Sequence, residues 1–177
     1  MGNFISTAET SWDGDLSSGS GMIEFNSGAF SNAPVTWAAR TESSDGKTSP
    51  EELVAAAHSS CYAMAFSHHL TNSGHKPEHL YVTAKVAFGP KEGGGMEVKS
   101  SALTVRGKVP GIDQAQFEEL AAQGEKACPI SNALRGNIDI TVSAGPRFSS
   151  NLVARTRRSY WPMPISTTRS PRSSMGR

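Results

Sequence analysis

A chain of 177 residues, 37% hydrophobic and 19% charged, carries enough apolar material for one packed core and reads as an ordinary globular domain. It has no apolar run near the roughly 20 residues of a membrane span, and no basic stretch followed by an apolar one at its start, so neither a span nor a signal peptide is expected. The net charge of +1 hides a split: residues 1–146 hold ten Lys/Arg against all 16 Asp/Glu, whereas residues 147–177 hold seven Arg and no acid.

The split marks a folded domain over 1–146 and an Arg-rich C-terminal tail over 147–177 that is expected to be disordered. A cytoplasmic location is the default expectation. The two cysteines are Cys61 and Cys128. In a reducing compartment a lone pair is more often inert or catalytic than a structural disulfide.

In chain order, residues 5–45 read as a small antiparallel meander. Trp12-Asp13-Gly14-Asp15 and Ser18-Gly19-Ser20-Gly21 are turn-like, and Met22–Phe25 and Val35–Arg40 alternate as strands do. Ser49-Pro50-Glu51-Glu52 is a helix start, with Ser49 as N-cap, Pro50 at the first helical position and Glu52 closing a capping box. The run Leu53–Leu70 is almost uncharged, which predicts a central helix or one buried against a partner, ended by Asn72 and Gly74. Leu80–Phe88 and Met96–Val109 read as a hairpin around a Gly-rich loop. Asp113 caps a helix over about 114–127. Pro129 starts a short helix ending at Gly136, and Asn137–Ser143 is a last strand. From Gly145 onward the periodicity fails.

Cys61 lies in the middle of the long helix, three residues after His58, so an imidazole on the same face could activate the thiol or simply be a satisfied interior histidine. Arg40 and Glu51 are the stronger candidates. A guanidinium beside a thiol stabilises the thiolate, and a carboxylate such as Glu51 can orient the guanidinium. Ten residues of helix put Glu51 about 15 Å from Cys61 along the axis. If both serve one site, either the helix is broken or two chains contribute, which points to an isologous dimer with shared sites. Cys128, at a helix junction before Pro129, is suited to a resolving thiol.

The run Ser49-Pro50-Glu51-Glu52-Leu53-Val54-Ala55-Ala56-Ala57-His58-Ser59-Ser60-Cys61, with Val109-Pro110-Gly111-Ile112-Asp113 and Ala127-Cys128-Pro129-Ile130-Ser131, resembles the OsmC/Ohr family. Trp12-Asp13-Gly14-Asp15 and His58 are closer to its osmotically inducible OsmC branch, and the likeness spans about residues 5–144. The resemblance implies an α/β (α+β) fold: an intertwined homodimer with two long central helices flanked by curved antiparallel sheets. It implies a thiol-dependent peroxidase for organic hydroperoxides, and more weakly hydrogen peroxide, with Cys61 peroxidatic, Cys128 resolving, Glu51 the family's glutamate and Arg40 near its arginine. It implies no metal or flavin cofactor, and a dithiol reductant such as a lipoyl group. Met64, Phe66, Phe30 and Trp37 are candidates for apolar surroundings that suit a hydrophobic peroxide.

Other readings are a non-catalytic redox sensor or binding module on the same fold, a metal site built from His68, His69, His75 and His79, and a hydrolase using Cys61 with His58. The tail has no counterpart in the family. Its seven Arg with Tyr160 and Trp161 could touch nucleic acid, but an extension without that role is the preferred expectation.

Overall fold

The computed structural model describes residues 2–145, so the Arg-rich tail lies outside the described residues. The element order is β1 (Ala8–Asp13), β2 (Ser20–Phe25), β3 (Ala33–Val35), α1 (Trp37–Thr41), α2 (Pro50–Asn72), β4 (His79–Pro90), β5 (Met96–Lys108), α3 (Gln114–Lys126), α4 (Pro129–Leu134) and β6 (Asp139–Ala144). Strands β1, β2 and β3 form one antiparallel sheet in that order; β4, β5 and β6 form a second.

The first turn begins two residues later than the sequence implied. Trp12 and Asp13 end β1, paired with Gly21 and Ser20, and the reversal starts at Gly14. Gly14 takes a left-handed φ of 87°, which favours glycine, and the Asp15 carboxylate accepts the Ser17 and Ser18 backbone N–H groups. A second difference concerns Val35–Arg40. Strand β3 stops at Val35, and Thr36 caps a helix there, its Oγ1 accepting the Ala39 N–H at 3.1 Å. Arg40 therefore sits in the last turn of α1, where a cation suits the helix dipole.

Helix α2 starts as its sequence dictates: Ser49 Oγ accepts the Glu52 N–H at 3.2 Å, and Pro50 and two acids fill the first turn. It runs unbroken for 23 residues. One stripe, His58, Tyr62, Phe66 and Leu70, is buried, while Ala56, Ser60 and Met64 on the opposite face are exposed.

In the second sheet β4 and β5 pair antiparallel from His79↔Lys108 to Pro90↔Met96. Strand β6 joins β5 in parallel, Ser100↔Asp139 to Val105↔Ala144, so this sheet is mixed rather than wholly antiparallel. A parallel neighbour needs a crossover, which α3 and α4 supply. The core lies between this sheet and the helices: Tyr62, Phe66 and Leu70 of α2 meet Leu103 and Val105 of β5 and Phe117 of α3. Phe66 packs edge-on to Phe117 with ring centroids 5.5 Å apart. Phe66, a candidate for the apolar surroundings of the site, is thus a core residue with no exposed surface.

Gly124 lets α3 approach α2 closely, because a Cβ there would fall 2.8 Å from Phe66 Cδ2 and 3.3 Å from its Cα. Gly124→Ala is expected to destabilise the protein by about 1–3 kcal/mol through overpacking. A denaturant midpoint equal to wild type would contradict this packing.

Candidate active site

Cys61 is half-buried on α2, and Cys128 is fully buried at the N-cap of α4. Their sulfurs lie 3.3 Å apart, with the Cys128 thiol donating to Cys61. Both are free thiols. The sulfurs are in contact, and only a short approach separates them from a disulfide of about 2.05 Å.

Three local features set this geometry. Pro129 starts α4, which makes Cys128 its cap, and the Ser131 N–H points at Cys128 Sγ from 3.5 Å. The backbone N–H of Ile130 donates to Cys61. The Arg135 guanidinium, at the end of α4, holds the nearly buried Glu125 of α3 at 2.7 Å.

Burial pushes the Cys61 thiol up from its ordinary pKa; the Ile130 N–H pulls it down, and neighbouring Cys128 pushes it up again. Within one chain, then, the net environment of Cys61 disfavours the thiolate, which is the nucleophilic form.

Arg40 and Glu51 come together, but elsewhere. Glu51 grips the guanidinium from the side, with Nη2 at 2.7 Å and Nε at 3.0 and 3.1 Å from its oxygens. That grip uses Nε and Nη2 and does not use Nη1. The guanidinium also lies over the Phe88 ring at 4.0 Å and the Trp37 ring at 5.6 Å. Trp37 and Phe88 pack edge to face beneath it. This corner borders a cleft of about 430 Å³ that also includes Lys47, Ser49 and Ala84. Unbroken helix keeps Glu51 about 15 Å along the axis from Cys61. The chain thus forms two pairs, Arg40–Glu51 and Cys61–Cys128, near different parts of α2.

His58 does not bond Cys61. It is fully buried, with Nδ1 2.7 Å from Ser101 Oγ and Nε2 2.8 Å from Ser131 Oγ. Burial lowers its pKa, partly opposed by the charge of Glu125. The interior reading of His58 is therefore correct, and a Cys61–His58 hydrolase has no base at its thiol. Of the clustered histidines, His68 bonds Asn72 and His69 bonds Gln123, and no group of three His, Cys, Asp or Glu among the described residues could hold a metal ion.

Ser101, Ser131, Glu125 and Arg135 escaped the sequence reading. Ser131 stands in the Cys128 motif and could have been suspected. Ser101 left only a faint signal: it shares the inward face of β5 with Leu103 and Val105.

Among the described residues no helix is long and apolar enough to cross a membrane. Residues 43–143 match the family described as OsmC-like protein. The chain is 34% identical over 129 residues to the peroxiredoxin OsmC of Escherichia coli K12, covering 73% of this chain and 89% of that one. It is 35% identical over 98 residues to an organic hydroperoxide resistance protein of Xanthomonas axonopodis pv. citri, covering 54% of this chain and 66% of that one. A crystal structure of an organic hydroperoxide resistance protein OsmC from Legionella pneumophila superposes with a TM-score of 0.67 at 25% identity, over 82% of this chain and 99% of the other. With its mixed α/β fold and its paired cysteines, the chain belongs to the OsmC-like family.

Proposed function

We propose that this chain is a thiol-dependent peroxidase that reduces organic hydroperoxides, and hydrogen peroxide more weakly. One observation carries the reading: a half-buried Cys61 sulfur lies 3.3 Å from the fully buried sulfur of Cys128. The names of the relatives in Escherichia coli and Xanthomonas agree with it.

In the proposed cycle the Cys61 thiolate attacks one peroxide oxygen. The O–O bond breaks, the alkoxide leaves and is protonated to the alcohol, and Cys61 becomes a sulfenic acid. The Cys128 thiolate then attacks Cys61 Sγ, hydroxide leaves as water, and a disulfide forms. A dithiol reductant, of which a lipoyl group is one example, attacks the disulfide. Cys128 is inaccessible, so the attack falls on Cys61 and Cys128 leaves as the thiolate. The second thiol of the reductant then releases Cys61. No metal or flavin takes part in this scheme.

The site is further proposed to be shared between two chains in an intertwined homodimer. Among the described residues no cation acts on the Cys61 sulfur, while Arg40 is oriented by Glu51 through Nε and Nη2. The exposed face of α2 carries Met64 at 69% exposure, and Phe4 and Ile5 before β1 and Phe30 between β2 and β3 are exposed, apolar surface that a second copy would bury. An active monomer in sedimentation experiments would contradict the shared site. Two free thiols in contact also suit a reducing compartment, and the cytoplasm is the proposed location.

The test is peroxide consumption with dithiothreitol or dihydrolipoamide in excess. Many turnovers of tert-butyl hydroperoxide are expected, at a higher rate than with hydrogen peroxide. Consumption that stops after one equivalent per chain would instead identify a redox sensor.

A further inference from the structure

Both ring nitrogens of His58 are engaged, one by Ser101 of β5 and the other by Ser131 of α4. A neutral imidazole offers one donor and one acceptor, and each hydroxyl can play either part. The flat ring therefore works as a spacer that ties α2 to a strand on one side and to α4 on the other.

The α4 end of this tie leads to the resolving sulfur. Ser131 bonds His58 through its side chain and points its backbone N–H at Cys128 Sγ. Helix α4 has only six residues and is too short to hold a position by itself. Its other ties are weaker or peripheral: Arg135 to Glu125 at the far end, Asn132 Nδ2 to the Lys126 carbonyl at 3.3 Å, and Ile130 against the core. Cys61 follows His58 by three residues on α2. The helix that carries the attacked sulfur thus also carries the ring that sets where the attacking sulfur lies.

We propose that His58 is a positioning residue for disulfide closure, acting through Ser131 to keep Cys128 Sγ within reach of Cys61 Sγ; this rests on the reading of Cys61 as peroxidatic and Cys128 as resolving. His58 touches neither sulfur. Its loss frees α4 to shift, and the Cys61 sulfenic acid then persists long enough to meet a second peroxide and become sulfinic acid. The first step, peroxide attack on Cys61, feels α4 through the Ile130 N–H, which favours the thiolate, and the Cys128 thiol, which disfavours it; these oppose each other, and the step changes little.

Single-turnover kinetics with tert-butyl hydroperoxide separate the steps, with rapid quenching and mass spectrometry to follow the sulfenic acid and the disulfide. His58→Leu and Ser131→Ala are expected to slow closure about 10- to 100-fold, the range for a displacement near 1 Å, and to leave the first step within about threefold. Sulfinic acid on Cys61 rises in step. His58→Gln, whose amide can reach the Nε2 position, is expected to restore closure to within about fivefold of wild type. Ser131→Ala removes a single oxygen and keeps the test open if His58→Leu fails to fold. Wild-type closure in folded Ser131→Ala, equal slowing of both steps, or no advantage of Gln over Leu would overturn the role of His58. If no sulfenic acid forms on Cys61 in wild type, the peroxidase reading fails, and this role with it.

Discussion

Cys61→Ser is expected to lower peroxide consumption by at least about 1,000-fold, to the uncatalysed background. A serine hydroxyl neither ionises near neutral pH nor takes up the oxygen as a sulfenic acid does. Cys128→Ser should behave differently. Its first turnover proceeds, because Cys61 is intact, but no buried thiol then stands 3.3 Å away to close the disulfide. The sulfenic acid waits for an external thiol or a second peroxide, so turnover falls and sulfinic acid accumulates on Cys61. With one equivalent of a monothiol as reductant, a mixed disulfide on Cys61 is the expected trapped species, since neither Cys128 nor a second monothiol is left to release it. Mass spectrometry after each peroxide addition checks all three outcomes. Full activity in Cys61→Ser would contradict the mechanism outright.

Arg40→Ala carries the second large effect. In the proposed shared site the guanidinium of one chain stands beside Cys61 of the other, and an opposite charge within a few ångströms shifts a thiol pKa by about 1–3 units, so on that proposal its loss should slow peroxide attack by about 10- to 1,000-fold near neutral pH. The residual activity should also change its pH dependence. Burial raises the Cys61 pKa, so without the guanidinium the thiolate becomes available only as pH rises. The variant's rate should therefore climb through and beyond the ordinary thiol range near about 8.5, while wild type stays flatter across it. Glu51→Gln should weaken the same function less, because the guanidinium remains but loses its forked carboxylate partner.

Mixing distinguishes a shared site from one built within a chain. By this account Cys61→Ser is inactive and Arg40→Ala retains at most about a tenth of wild-type activity. Allowed to exchange subunits, half of the resulting dimers pair one of each. In such a dimer one site combines an intact Cys61 with an intact Arg40 from the other chain. Activity should return to about one quarter of wild type if the isologous arrangement holds. No recovery after demonstrated exchange would place both groups in the same chain and refute the shared site.

The parts of the fold that were legible are those governed by local chemistry. Ser49 and Pro50 announced the start of α2, and Asp113 and Pro129 announced α3 and α4; each of these caps forms, whereas the Glu52 carboxylate accepts from Thr48 Oγ1 instead of closing a box on the Ser49 N–H. The miss at α1 has a local cause too. Val35–Arg40 alternates loosely, and a five-residue helix shows too little periodicity to outweigh that, although Thr36 before Trp-Ala-Ala-Arg was a capping signal. The parallel seat of β6 is a tertiary choice. Its trace in the sequence was the long two-helix connection from Lys108 to Asp139, a length that suits a crossover.

The site divides in the same way. Cys61 and Cys128 could be nominated from their motifs, but their contact joins residues 67 apart in the chain and was not legible. Arg40 and Glu51 could be paired by charge and shape, and they do pair. The bond from His58 to Ser101 spans 43 residues, and an isolated serine on a strand carried no mark of it.

The central claim is that one peroxide molecule is reduced at the cost of two thiols in the same chain, and intact-mass spectrometry reads this directly. Reduced protein given one equivalent of tert-butyl hydroperoxide, without reductant, should lose two hydrogen atoms and yield a peptide that links Cys61 to Cys128. Protein that instead gains oxygen on Cys61 while Cys128 stays a free thiol, or that leaves the peroxide unconsumed, would contradict the account.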